Sequence, residues 1–185
     1  MDVLVGEPWP SARALQQEWL ENLARRHEVR QGELLSRLVD ELTAPVPESY
    51  FALFSLAAWQ WWKRWRASRF YASLHLFLWQ QALGQVQPIY AAGLLRLLRY
   101  QLLQHPKAGV RQVARLEQHL ALYAVLTDNV SEAGYLRIAH HVVQNIFGDL
   151  QRNPTCLIIA VQLADYLDRY YEQQSNRLQR LEITP

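Results

Sequence analysis

Residues 48–84 read ESYFALFSLAAWQWWKRWRASRFYASLHLFLWQQALG. No proline or glycine interrupts the run from Glu48 to Leu83. Five of the seven tryptophans lie in it, four of them within Trp59-Gln60-Trp61-Trp62-Lys63-Arg64-Trp65. A run without breakers is expected to be helical. Its apolar positions are too dense for the narrow stripe of a surface helix. Phe51, Phe54, Ala58, Trp61, Trp62 and Trp65 recur at spacings of three and four and are expected on one broad face, with Trp59 to the side. Ser68 is suited to cap a restart. The stretch therefore reads as one long bent helix, or as two helices meeting near Ala67 and Ser68. The second half groups Leu74, Phe77, Leu78 and Gln81. A helix apolar on most sides is expected at the centre of its domain.

Composition sets the frame around this stretch. A chain of 185 residues can bury a sizeable core, and one that is 50% hydrophobic folds. Seven glycines and eight prolines are few for a sheet protein with many tight turns, while alanine, leucine, glutamine and arginine favour helix. Cys156 is the only cysteine, so no intramolecular disulfide can form and no cysteine-based zinc pattern exists. A reducing, cytoplasmic setting is expected. The start, MDVLVGEPWPSARA, carries an acid before its short apolar run and lacks the basic segment of a secretory leader. No uncharged apolar window approaches the roughly 18 residues needed to span a bilayer.

The net charge of +2 conceals a segregation. Residues 1–48 carry −4 and residues 117–185 carry −3. Residues 49–116 contain no acid and nine bases: Lys63, Arg64, Arg66, Arg69, Arg96, Arg99, Lys107, Arg111 and Arg115. Such a segment implies an anionic partner or internal pairing with the acidic flanks.

In order along the chain, residues 1–10 read as an extended arm, with Pro8 and Pro10 around Trp9. Residues 11–182 read as a single all-helical domain. A helix is expected from Ser11 to about Arg30, with Leu15, Trp19 and Leu23 on one face. Gln31-Gly32 weakens it, and a second helix follows from Glu33 to Leu42. Pro45 and Pro47 break the chain before the central stretch. Gly84 to Pro88 reads as a loop. A helix from Pro88 to about Gln104 carries Leu94, Leu95, Leu97, Leu98 and Leu102 as core. His105 to Gly109 is a turn. The next helix, Val110–Leu126, has Val110, Val113, Leu116 or Leu120, and Ala124 as its stripe. Another runs from Ser131 to Phe147, ended by Gly148. Asn153-Pro154 opens the last, from Thr155 to about Leu181, with Leu157, Val161, Ala164, Leu167 and Tyr171 inward. The fold class is all-α, with about seven helices around a Trp-rich central helix.

Catalytic and metal chemistry find little support. The paired Glu-x-x-His helices of a bundle metal site are absent, Glu117 and His119 face apart, and His140 and His141 diverge. His75, His119 or His140 could serve as an axial haem ligand, but a packed or surface histidine explains each as well. Cys156 sits among apolar neighbours and reads as buried and structural. No GxSxG, Walker A, GxGxxG or HExxH pattern occurs. Asn129-Val130-Ser131-Glu132-Ala133-Gly134-Tyr135-Leu136-Arg137 resembles the turn and recognition-helix start of helix-turn-helix proteins, which would aim Arg137, His140, His141 and Gln144 at a groove. The pattern is short, and Asp128 stands where the motif wants an apolar residue.

The Trp/Arg cluster is the chief candidate site. Exposed indoles beside guanidinium groups suit a protein interface, single-stranded nucleic acid or a bilayer interface. The ordinary alternative is that the indoles are core and the bases its solvated rim. The sequence points to a non-enzymatic regulator, adaptor or assembly protein that binds a protein partner, or a second copy of itself, through Trp59, Trp62, Trp65, Arg66 and Arg69. No catalytic residue, metal or cofactor is expected. The alternatives are a nucleic-acid binder using region 49–116, and a helical sensor for a small molecule or tetrapyrrole. Arginine outnumbers lysine 17 to 2, which suits planar, bidentate contacts with carboxylate or phosphate.

Overall fold

A computed structural model describes residues 29–106, 109–127, 134–148 and 154–180. The expected arm over residues 1–10, and the expected helix from Ser11 up to residue 28, lie outside the described residues. Among the described residues there are seven helices and no strand: α1 (Val29–Thr43), α2 (Glu48–Leu53), α3 (Trp61–Val86), α4 (Pro88–Gln104), α5 (Gly109–Thr127), α6 (Gly134–Phe147) and α7 (Pro154–Arg180). The fold is all-α. The chain divides into two compact units, residues 1–38 and 39–185, with the division inside α1. In the first, the described residues are the opening turns of α1, where Leu35 and Leu38 are buried. Gly32 lies within α1 rather than breaking it, since one interior glycine costs only about 1 kcal/mol.

In the second unit α3 is the hub, packing against α7, α5, α4, α6 and α2. Seven consecutive α3 residues, Ser73 to Trp79, are buried, so no side of the helix there meets solvent. The directions of its neighbours follow from pairs of contacts. His119 stacks on Phe70 and Tyr123 meets Phe77, so α5 runs with α3. His141 approaches Phe70 while Arg66 reaches the Asn145 carbonyl, so α6 runs against it. Lys63 lies near Phe147 and Cys156, Tyr170 reaches His75 and Tyr171 reaches Gln85, so α7 runs with α3.

The helical break in the central stretch is not at Ala67-Ser68, as expected, but over Phe54–Gln60. Ser55 adopts a left-handed backbone (φ 52°). Its N–H reaches the Ala52 carbonyl at 3.0 Å, and the Leu56 N–H reaches Phe51 O at 3.2 Å. These are the two bonds of a Schellman motif, and the buried Leu56 and Phe51 supply its apolar closure. Serine stands there in place of the usual glycine, so no local residue announces the break. Ser68 is not a cap: inside α3, its hydroxyl donates back to the Trp65 carbonyl at 2.8 Å. Tyr50 fastens α2 to α3 through a buried hydrogen bond to Ala67 O. The loop expected at Gly84–Pro88 shrinks to Gln87, because α3 continues through Gly84 to Val86.

Two expected stripes hold only in part: Leu167 on α7, and Val113 and Leu116 on α5, are buried as expected, but other members are not. On α7, Leu157 and Val161 are exposed; the buried line is Cys156, Ile159, Ala160, Leu163, Leu167, Tyr170, Gln174 and Leu178. On α5, Val110 and Ala124 are exposed, and Val113, Leu116 and Tyr123 are buried. In both helices the sequence offers two overlapping apolar lines, and the choice falls to the neighbours. On α4, Leu94, Leu98 and Leu102 are buried as expected, with Leu95 and Leu97 half-buried.

Candidate functional site

The first two turns of α3 and the loop before them leave the core. Trp59 is 77% exposed, Trp61 73%, Trp65 57% and Trp62 42%. The single broad face expected for Phe51, Phe54, Ala58, Trp61, Trp62 and Trp65 is therefore divided. Phe51 and Phe54 are core, while Ala58 and the three tryptophans face solvent. The physical reason is the Schellman turn, which ends the buried surface of α2 and restarts a helix on a new axis. Of the five tryptophans in the central stretch, Trp79 alone is buried. The centre of the fold is α3, but its Trp-rich end is not the core.

Cations accompany the indoles. Lys63 and Arg66 lie over the Trp62 ring, 5.5 and 5.0 Å from its centroid, and Arg69 lies 5.1 Å from the centroid of Trp65. Trp61, Trp65 and Arg69 follow one another at spacings of four on α3, beside Trp62 and Arg66. All five expected docking residues, Trp59, Trp62, Trp65, Arg66 and Arg69, are exposed and sit at the same end of the bundle.

The topology brings further bases to that end. Arg99 stands toward the C-terminal end of α4, and Arg111 and Arg115 in the first turns of α5, which starts where α4 finishes, while Arg96 lies at the middle of α4. Arg64 pairs with Glu48, and Arg99 with Glu117 at 2.6 Å. Among the described residues Lys63, Arg66, Arg69, Arg96, Arg111 and Arg115 make no ion pair. The exposed Leu157, Ile158 and Val161 open α7 at the same end.

Sequence reasoning did not anticipate two polar networks in the interior. In one, buried His75 sets Nδ1 2.8 Å from Glu41 Oε1 and Nε2 2.7 Å from the Tyr166 hydroxyl. Tyr170 donates to the same carboxylate oxygen at 2.6 Å and stacks on the imidazole. Both ring nitrogens of His75 are thus engaged, leaving none for an axial metal bond. In the other, the fully buried Ser73 donates to Phe70 O at 2.9 Å. Its oxygen therefore accepts from Tyr123, at 3.2 Å, and from His119 Nδ1–H, at 3.0 Å. A serine beside a histidine invites a catalytic reading. Here the hydroxyl proton is committed to the backbone and the oxygen is sealed from solvent. Apart from the local Ser73–Phe70 bond, the hydrogen-bonded partners of both networks lie 34 to 129 residues apart in the chain, beyond any local motif.

Burial raises the pKa of the Cys156 thiol, with the charge of Lys63 opposing the shift; the side chain is buried, as expected. Of the helix-turn-helix-like segment, residues 129–133 lie outside the described residues. Arg137 and Gln144 are exposed on α6, and His140 and His141 are half-buried. No group of three or more metal-binding side chains occurs among the described residues, and none of the described helices is long and apolar enough to cross a membrane. Set against known protein families, curated proteins and solved structures, the chain matches none of them.

Proposed function

We propose that this chain is a docking module, an adaptor or assembly protein that works by binding a protein partner through the Trp/Arg end of its bundle. One observation carries the reading. Four large indoles project into solvent beside cations that make no ion pair among the described residues. An unpartnered Trp/Arg surface of this size suits a protein interface, where these two residue types supply most of the binding energy.

Two features favour a protein over nucleic acid. The rings of Trp62 and Trp65 already carry the chain's own cations, which compete with base stacking. The net charge is only +2, too little to draw a polyanion from a distance. Regulator and adaptor roles, with binding rather than catalysis, accord with a Ser73–His119 pair that is closed to substrate.

The test compares partner capture by the immobilised wild-type chain with capture by Trp62→Ala and Arg66→Glu, and measures the sedimentation of each. Both variants should keep the wild-type circular dichroism and lose the captured protein, or lose a wild-type dimer if the partner is a second copy. Unchanged capture and unchanged association in both variants would overturn the proposal. So would a generic single-stranded oligonucleotide whose binding falls steeply with salt.

A further inference from the structure

The docking end continues off α3 onto α5 and α6. Phe70 lies between two imidazoles: it stacks on His119 at 5.1 Å with an interplanar angle of 14°, and meets His141 edge-on at 6.3 Å. Arg69 precedes Phe70 and stands over Trp65. Arg115 stands one turn before His119 on α5. We infer that Arg69, Arg115, His119 and His141 form an anion-binding extension of the Trp surface. It receives carboxylate side chains from an acidic segment of the protein partner, and docking takes up a proton at His119.

The inference rests on the docking reading and on the geometry of His119. Its Nδ1–H is fixed by Ser73 Oγ, so in the neutral ring Nε2 is the bare nitrogen, and no described group is bonded to it. Protonation at Nε2 would add a donor beside two guanidinium groups. The surroundings oppose this in the free protein. From α3 come Arg69, Phe70 and Ser73, from α5 Arg115 and Tyr123, and from α6 His141. Glu117 of α5 is engaged by Arg99 of α4. No acid among the described residues offsets the cations. Burial, then the charges of Arg69, His141 and Arg115, hold the His119 pKa below the ordinary imidazole range. Burial lowers that of His141 as well, and its Nε2 accepts from the Asn145 amide.

A carboxylate placed among these groups reverses the balance. It neutralises part of the local positive charge and favours the imidazolium. By linkage, affinity then rises as pH falls, by up to about tenfold per pH unit between the bound and free His119 values. Carboxylates are favoured over nucleic acid for the reasons already given.

The test follows the histidine resonances of the full chain between pH 7.5 and 5.5, with and without a hexaglutamate peptide at low salt. The peptide should shift His119 and His141, raise the His119 midpoint, and bind about tenfold more tightly at the lower pH. The exposed Arg115→Glu should abolish the effect without loss of helicity, and His119→Gln should flatten the pH dependence. Binding that ignores pH, or survives Arg115→Glu, overturns the inference. So does tighter binding of an oligothymidylate or of phosphatidylserine vesicles. These outcomes are separable from failure of the docking proposal itself. A partner lost with Trp62→Ala while hexaglutamate does nothing would mean a docking end that uses no acidic segment.

Discussion

His75 and Glu41, 34 positions apart, meet at 2.8 Å where α1 passes the most enclosed part of α3. Burial disfavours the Glu41 carboxylate. The hydrogen bonds from His75 and Tyr170, together with the charges of His75 and Arg177, outweigh it and hold the pKa below the usual 4.5. A carboxylate depressed in the folded state adds stability above its unfolded pKa, and that stability is lost as pH falls through the folded value. Glu41→Gln should therefore cost about 1–2 kcal/mol at pH 7, with the gap to wild type narrowing as pH falls below the ordinary carboxylate value of 4.5. Urea denaturation at pH 7 and pH 3.5 measures it. A gap that stays constant would remove Glu41 from the acid response.

Ser55 and Gly148 make a paired test of helix endings. Both have positive φ, 52° and 92°, and Gly148 closes α6 through its N–H to Gln144 O at 2.8 Å. A side chain in this conformation costs about 1 kcal/mol. Ser55→Gly should stabilise the protein by about 0.5–1 kcal/mol, and Gly148→Ala should destabilise it by a similar amount. Opposite signs in thermal melts are the expected result, and equal signs would contradict the assigned backbone.

On α7 the exposed and buried lines separate cleanly. Val161→Ser and Leu157→Ser should change stability by less than about 0.5 kcal/mol. Leu163→Ala, at a fully buried position, should cost about 2–5 kcal/mol. Chemical denaturation distinguishes this from the arrangement the sequence suggested, in which Leu157 and Val161 would be the costly positions.

The tryptophans divide in the same way. Trp59→Ala and Trp61→Ala should leave the unfolding midpoint almost unchanged, while Trp79→Ala should cost about 3–5 kcal/mol. Iodide should quench the exposed indoles of wild type, and replacing Trp59 and Trp61 should remove much of the quenchable emission.

These contrasts mark where the sequence was legible. Helices bounded by proline or glycine were readable because those residues act locally: Pro88 opens α4 and Gly148 ends α6. The break after α2 was hidden because Ser55 takes a conformation its identity does not announce. The inward lines of α5 and α7 were ambiguous because each helix carries two apolar lines, and only tertiary packing chooses between them. The tryptophan cluster was noticed, but exposure is a property of the whole fold. Its gathering with Arg111 and Arg115 depends on helix directions that no local pattern encodes. The Glu41–His75–Tyr166 and Ser73–His119–Tyr123 networks join residues that share no spacing rule.

The shared direction of α3, α5 and α7 bears on the origin of the electric field at the docking end. Three helix N-termini gather there, opposed by the C-termini of α4 and α6. Each terminus carries about half an elementary charge, so the peptide dipoles leave a net of only about +0.5. Among the described residues, Lys63, Arg66, Arg69, Arg111 and Arg115 stand at the same end without an ion pair. The field is therefore a side-chain property superimposed on a nearly balanced backbone. Its strength can be removed stepwise by substitution, without altering the helices that display it.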